Sequence, residues 1–144
     1  MDPAEALTDL KQISTQVERA VVVRNDGTLE ASTLRDGAAA ERIARGAADL
    51  WEAAESARAS LGRPPLSQLE VATPEGSVFA VRDEARMVCA VTAGDPTVGL
   101  IFYDLKTCLR NIAEEPVEAV ADLAEPVAAE PPAAAGEEEP DGQG

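Results

Sequence analysis

Apolar residues along this chain switch between two spacings. Leu7, Leu10, Ile13 and Val17 recur every three or four positions, which predicts a short helix running to about Thr15. Asp2-Pro3-Ala4-Glu5 opens it: the aspartate can cap, the proline suits the first turn, and the glutamate can reach back to the cap amide. Ala20-Val21-Val22-Val23 is a β-branched run, too short for a helix and too apolar for an exposed strand. It reads as a central strand covered on both faces. Asn25-Asp26-Gly27 is a tight-turn signal, and Thr28 to Thr33 returns as the partner of a hairpin.

The helical period then returns over a longer stretch, Asp36 to Leu61, with Gly62 placed as a C-cap and Pro64-Pro65 blocking continuation. Ile43, Ala47, Leu50, Ala54, Ala57 and Leu61 form one apolar stripe. Glu41, Arg45, Asp49, Glu52 and Glu55 lie away from it. Ala44, Ala48 and Trp51 form a shoulder between the two. Trp51 either covers the edge of its own core or, with Ala44 and Ala48, receives a second helix, most simply that of another copy.

Three strands are expected next. Leu66 to Thr73 puts Leu69, Val71 and Thr73 on one face, and Pro74-Glu75-Gly76 turns the chain. Ser77 to Arg82 alternates, Asp83-Glu84-Ala85 turns again, and Arg86 to Ala93 is apolar on both faces through Val88-Cys89-Ala90-Val91. Such short turns make an antiparallel meander. Asp95-Pro96 repeats the capping logic of the N-terminus. Val98, Ile101, Phe102, Leu105, Leu109 and Ile112 then trace one face of a last helix, with Cys108 beside them.

The predicted order is α-β-β-α-β-β-β-α, an α/β (α+β) sandwich. Two strands apolar on both faces need cover on both sides, so one helix packs on one face and two on the other. The Leu66 strand is expected at an edge, where pairing with a second copy would extend the sheet across a two-fold axis. Residues 1–114 form this domain. After about Glu115 the sequence turns to Ala, Pro, Glu and Gly, and 115–144 is expected to be a disordered acidic tail, with Val117 to Leu123 able to form a helix on binding.

Charge narrows the functions. The chain of 144 residues has a formal net charge of −15 and no histidine. All twelve basic residues precede residue 111, and ten acids and no bases follow residue 113. Nucleic acid and anionic lipid both need a cationic footprint, so neither is an expected partner. No apolar run reaches the roughly 20 residues of a membrane span, and no secretory h-region opens the chain. A cytoplasmic protein is expected. Without histidine there is no Ser-His-Asp triad, Cys-His pair or His-ligated metal. Cys89 and Cys108 are expected to be buried free thiols.

Independent catalysis is therefore a poor expectation. Asp26, Glu30, Asp95 and Asp104 are candidate carboxylates, but Asp26 and Asp95 have turn and cap roles. Ser14, Ser67 and Ser77 have no histidine base. Lys11 and Lys106 fall at solvated helix positions. Neither GxxxxGK[ST] nor a GxGxxG after a strand is present, and no cofactor is expected.

Leu10 and Ile13 before Ala20-Val21-Val22-Val23-Arg24-Asn25-Asp26-Gly27, then Gln68-Leu69-Glu70-Val71 through Val81, then Gly99-Leu100-Ile101, carry a resemblance. In this order and spacing they resemble the Roadblock family, the dynein light-chain roadblock and MglB type of domain, over about Leu7 to Ile112. Ser14-Thr15 departs from the Gly-Val usual in relatives. The resemblance implies a profilin-like sandwich that dimerises through the long helix and the neighbouring edge strand. Ala44, Ala48, Trp51, Leu69 and Val71 are then the expected interface. It also implies a role on Ras-like small GTPases, without nucleotide binding by the domain itself.

A GTPase activator can supply an arginine in trans, and Arg24, Arg42, Arg45 and Arg110 are the exposed candidates. The resemblance implies instead that the GTPase's own residues are repositioned. Arg42, Arg45, Asp49 and Glu52, beside the paired helices, are the expected GTPase contacts. A different class of function is a passive dimerisation scaffold in a signalling complex. A small-molecule sensor is disfavoured by the scarcity of polar and aromatic pocket-lining residues. The acidic tail either solvates the domain or docks on a basic patch of the partner.

Overall fold

The computed structural model describes the backbone of residues 1–124 and the side chains of residues 1–113. Eight elements follow in the expected order: α1 (Pro3–Ile13), β1 (Val17–Arg24), β2 (Leu29–Ser32), α2 (Gly37–Ser60), β3 (Gln68–Thr73), β4 (Gly76–Arg82), β5 (Arg86–Ala93) and α3 (Val98–Ala124). The strands form one antiparallel sheet in the order β2-β1-β5-β4-β3, a profilin-like sandwich. The two strands read as central, β1 and β5, pair with each other, and β3 is an edge.

Local chemistry explains the boundaries. Asp2 caps α1 by accepting from the Glu5 amide, and Asp36 caps α2 by accepting from Ala38 and Ala39. α1 stops at Ile13, two residues before the expected end, because Ser14 is extended. Gly27, at φ 96°, makes the β1–β2 turn that only glycine adopts without strain. A Cβ at Gly76 would lie 2.6 Å from the Thr92 carbonyl oxygen, and one at Gly94 would lie 2.6 Å from that of Pro74. Glycine at both positions lets the β3–β4 turn close onto the end of β5.

α3 begins differently from expectation. Asp95 has φ 58° and lies in the loop, and Thr97 stands at the cap, its carbonyl accepting from Leu100 and Ile101. Gln16 fixes Thr97 from both sides, donating to its hydroxyl and accepting from its amide. A side chain 81 residues away therefore sets this helix start, which local sequence does not reveal. The helix runs to Ala124, beyond residue 115, where the tail was expected to begin. Residues 125–144 of the expected tail lie outside the described residues.

The core has two halves, one on each side of the sheet. α1 and α3 seal the first, with Leu7, Leu10, Val22, Phe79, Val88, Ile101, Leu105 and Ile112 buried. Phe79 and Phe102 meet edge to face at 5.1 Å. The second half lies under α2 and comprises Val21, Val23, Ala80, Met87 and Cys89 against Ala44, Ala47 and Trp51.

Here the orientation of α2 corrects the sequence reading. Ala40, Ala44, Ala47 and Trp51 face the sheet, so the line taken for a shoulder is the centre. Ile43, Leu50 and Ala54 of the expected stripe are half-buried, Ala57 is exposed, and Leu61 is 73% exposed. The reason is steric: alanines let the helix approach the sheet closely, and the indole fills the space where it lifts away. Trp51 is 2% exposed and Arg82 covers one face of its ring, with the guanidinium carbon 5.7 Å from the centroid.

Candidate interaction face beside the long helix

α2 covers β1, β2 and, through Ala80, Met87 and Cys89, part of β4 and β5, leaving β3 and the Val78 end of β4 less covered on the same face. The strand registers place Leu69 opposite Ala80 and Val71 opposite Val78, so Leu69, Val71 and Val78 share the α2 side with Cys89 and Val91. Val71 is 38% exposed, and Leu69, Val78 and Val91 are half-buried. Between this surface and the helix runs an apolar groove of about 250 Å³, lined by Ile43, Gly46, Ala47, Leu50, Val78, Cys89 and Val91. No side chain occupies the space around Gly46, since a Cβ there would meet nothing within 4 Å. The outer edge of β3 adds backbone groups that no strand among the described residues pairs.

The expected interface residues divide accordingly. Leu69 and Val71 lie on this open face, and Ala48 is half-buried. Ala44 and Trp51 are fully committed to the chain's own core, so a second copy cannot reach them. Ile43, Gly46, Leu50, Val78 and Val91 line the groove beside α2. Val78 and Val91 were missed because they become neighbours only through the β4–β5 register, Val78 opposite Val91.

Arg42, Arg45, Asp49 and Glu52 are all exposed on α2. The first three line a shallow depression with Glu41 and Gly46. Glu52 belongs to a separate cleft near the end of the helix, about 740 Å³, with Trp51, Glu55, Leu66, Arg82 and Arg86. The structure thus brings three of the four expected contact residues together and sets the fourth apart.

The candidate carboxylates are scattered. The Asp26 carboxylate accepts from the Thr28 amide in its turn, and this hydrogen bond lowers its pKa. Glu30 accepts from Arg24 Nε at 2.8 Å and Arg86 Nε at 2.6 Å. Burial pushes its carboxyl up, but the two guanidiniums prevail and hold it below the usual range. This bridge ties three strands and was unseen in sequence, because it depends on both registers of β1. Asp104 is buried between α1 and α3, where desolvation raises its pKa against a hydrogen bond from Ser14. Ser77 is buried too, and Ser67 is exposed. Burial pushes both cysteine thiols up to about 12, so neither is a nucleophile at neutral pH. Among the described residues no cluster of His, Cys, Asp or Glu could hold a metal ion, and no helix is long and apolar enough to cross a membrane.

An antiparallel five-stranded sandwich with one alanine-rich helix alone on one face defines the class of fold. The chain belongs to the Roadblock/LC7 domain family, whose sequence profile matches residues 3–93. Among solved structures it is similar to a Roadblock/LC7 domain from Streptomyces avermitilis, at 16% identity and a TM-score of 0.73, covering 79% of this chain and 97% of that one. An MglB described as having a tetrameric arrangement aligns at 14% identity and TM-score 0.68, over 80% of this chain and 88% of that one. The gliding protein MglB from Thermus thermophilus aligns at 13% and 0.65, over 76% and 84%. At such identities the likeness is one of fold. No curated protein matches the chain.

Proposed function

We propose that this chain is a non-catalytic, homodimeric, cytoplasmic regulator that binds a Ras-like small GTPase. In this reading the domain of residues 1–114 pairs with a second copy across the α2–β3 face, and residues 115–144 form an acidic appendage. The observation that carries the reading is the half-open face itself. An apolar groove and an unpaired strand edge stand beside an exposed charged row, Arg42, Arg45 and Asp49, on the same helix. Burial of the groove by a second copy brings two such rows together at one composite surface. The family resemblance supplies the class of partner for that surface. Stimulation of hydrolysis would proceed by repositioning the GTPase's own residues, since the charged row offers recognition without an active site of its own.

The test is recovery of partners from source-cell lysate on the full chain, with a GTP analogue or GDP added in parallel. Recovery of a small GTPase mainly with the GTP analogue is the expected result, and it would lead to a turnover assay. Equal recovery in both nucleotide states, or recovery of kinases and adaptors alone, would replace this reading with the passive scaffold.

A further inference from the structure

The outer side of α3 carries a second surface, across the sheet from the α2 groove. Leu100 is 49% exposed and Tyr103 is 66% exposed. Lys106 and Arg110 follow them and are both exposed. Ile13 of α1 is exposed near the same end of this layer, where Gln16 bonds to Thr97. The charged residues from Val98 to Ala113 are Asp104, Lys106 and Arg110, and Asp104 is buried. Among the described side chains of α3, the exposed charges are therefore both basic. Neither Lys106 nor Arg110 joins an ion pair among the described residues; Arg110 donates only to Thr107.

We propose that the acidic segment Glu137–Asp141 of the same chain docks on this face, with Glu137 on Arg110, Glu139 on Lys106 and Pro140 toward Tyr103. Spacing supports the match. Lys106 and Arg110 are four residues apart on a helix, about 6 Å between neighbouring positions. Glu137 and Glu139 in an extended chain fall on one side, about 6.6 Å apart. Length supports it as well. Ala124, where the described helix ends, is about 21 Å beyond Arg110 and about 31 Å beyond Tyr103 at the helical rise. Twelve residues, 125–136, separate Ala124 from Glu137, and the most they can span is about 40 Å, enough to return to Lys106. Exposed pairs of this kind are weak singly and screened by salt, so the contact is switchable: an anionic competitor or raised salt releases it.

The experiment uses the full chain with Glu138→Cys carrying a nitroxide, since Cys89 and Cys108 are buried. The readout is broadening of backbone amide signals in NMR. At about 20 mM salt the signals from Leu100 to Arg110 should lose about half their intensity or more, and at about 500 mM they should recover. The double substitution Lys106→Gln/Arg110→Gln, both exposed and outside the core, should abolish the broadening at low salt. Broadening absent, centred on α2, or unchanged by the double substitution would overturn the proposal. So would broadening seen only on isotope-labelled chains mixed with spin-labelled ones, which would mean contact between copies.

Discussion

The two faces of the sheet are finished to different degrees. On the α1–α3 side two helices with large side chains seal the centre of the sheet: Leu7, Leu10, Phe79, Ile101, Leu105 and Ile112 are fully buried. On the other side one helix, mostly alanine where it meets the sheet, covers β1 and β2 and stops short of β3. Small side chains bring α2 close, but they also leave it too narrow to cover five strands. The first face completes the fold. The second leaves a narrow apolar groove and an unpaired strand edge.

The contrast can be broken first at its most buried point. Phe79→Ala removes a ring at the centre of the sealed face, so a loss of about 3–5 kcal/mol is expected in urea denaturation. Trp51→Ala should cost about 3 kcal/mol in the same measurement, because the indole belongs to the chain's own core. If it instead separates copies while leaving stability unchanged, the assignment of Trp51 to the core is wrong. On the charged row, Arg45→Glu with Asp49→Arg should weaken GTPase binding about tenfold and leave folding unaltered. Unchanged affinity would remove that surface from the account.

The smallest expected effect concerns Asp104. Its folded-state pKa is raised, chiefly by desolvation, so folding favours the protonated form. The charged form carries a penalty above that raised pKa, and the penalty disappears as pH falls below the ordinary aspartate value of about 4. Asp104→Asn should therefore raise the thermal midpoint at neutral pH, with the gain shrinking toward acid pH. A gain that persists unchanged in acid would deny the burial of charge at this position.

The sequence disclosed most of the strand layout, because strict alternation, doubly apolar runs and turn residues act locally. Arg86 to Ala93 was delimited to the residue, and β3 was placed at an edge from its weaker pattern. The orientation of α2 was not legible. In a helix where alanine occupies many positions, periodicity favours the large residues Ile43, Leu50 and Leu61, whereas close approach to a sheet selects Ala40, Ala44 and Ala47. That single rotation moved Trp51 from a proposed interface to the core. The groove was hidden for a different reason: Val78, Val91 and Ile43 are distant in sequence and meet only through strand register and helix placement. Leu69 and Val71 were placed on one face of β3 because alternation along a single strand is legible locally.

The central claim, that a second copy completes the α2–β3 face, is tested most directly by sedimentation equilibrium on the full chain and on Leu50→Asp. The account predicts a mass of two 15.0 kDa chains for the wild type. The variant should sediment as one chain that still unfolds cooperatively in urea, since an aspartate in the groove costs association about 2 kcal/mol or more while leaving the fold in place. A wild-type chain that is monomeric at about 100 µM, well above the micromolar dissociation constant of an ordinary specific dimer, would contradict it. So would a dimer that Leu50→Asp leaves intact.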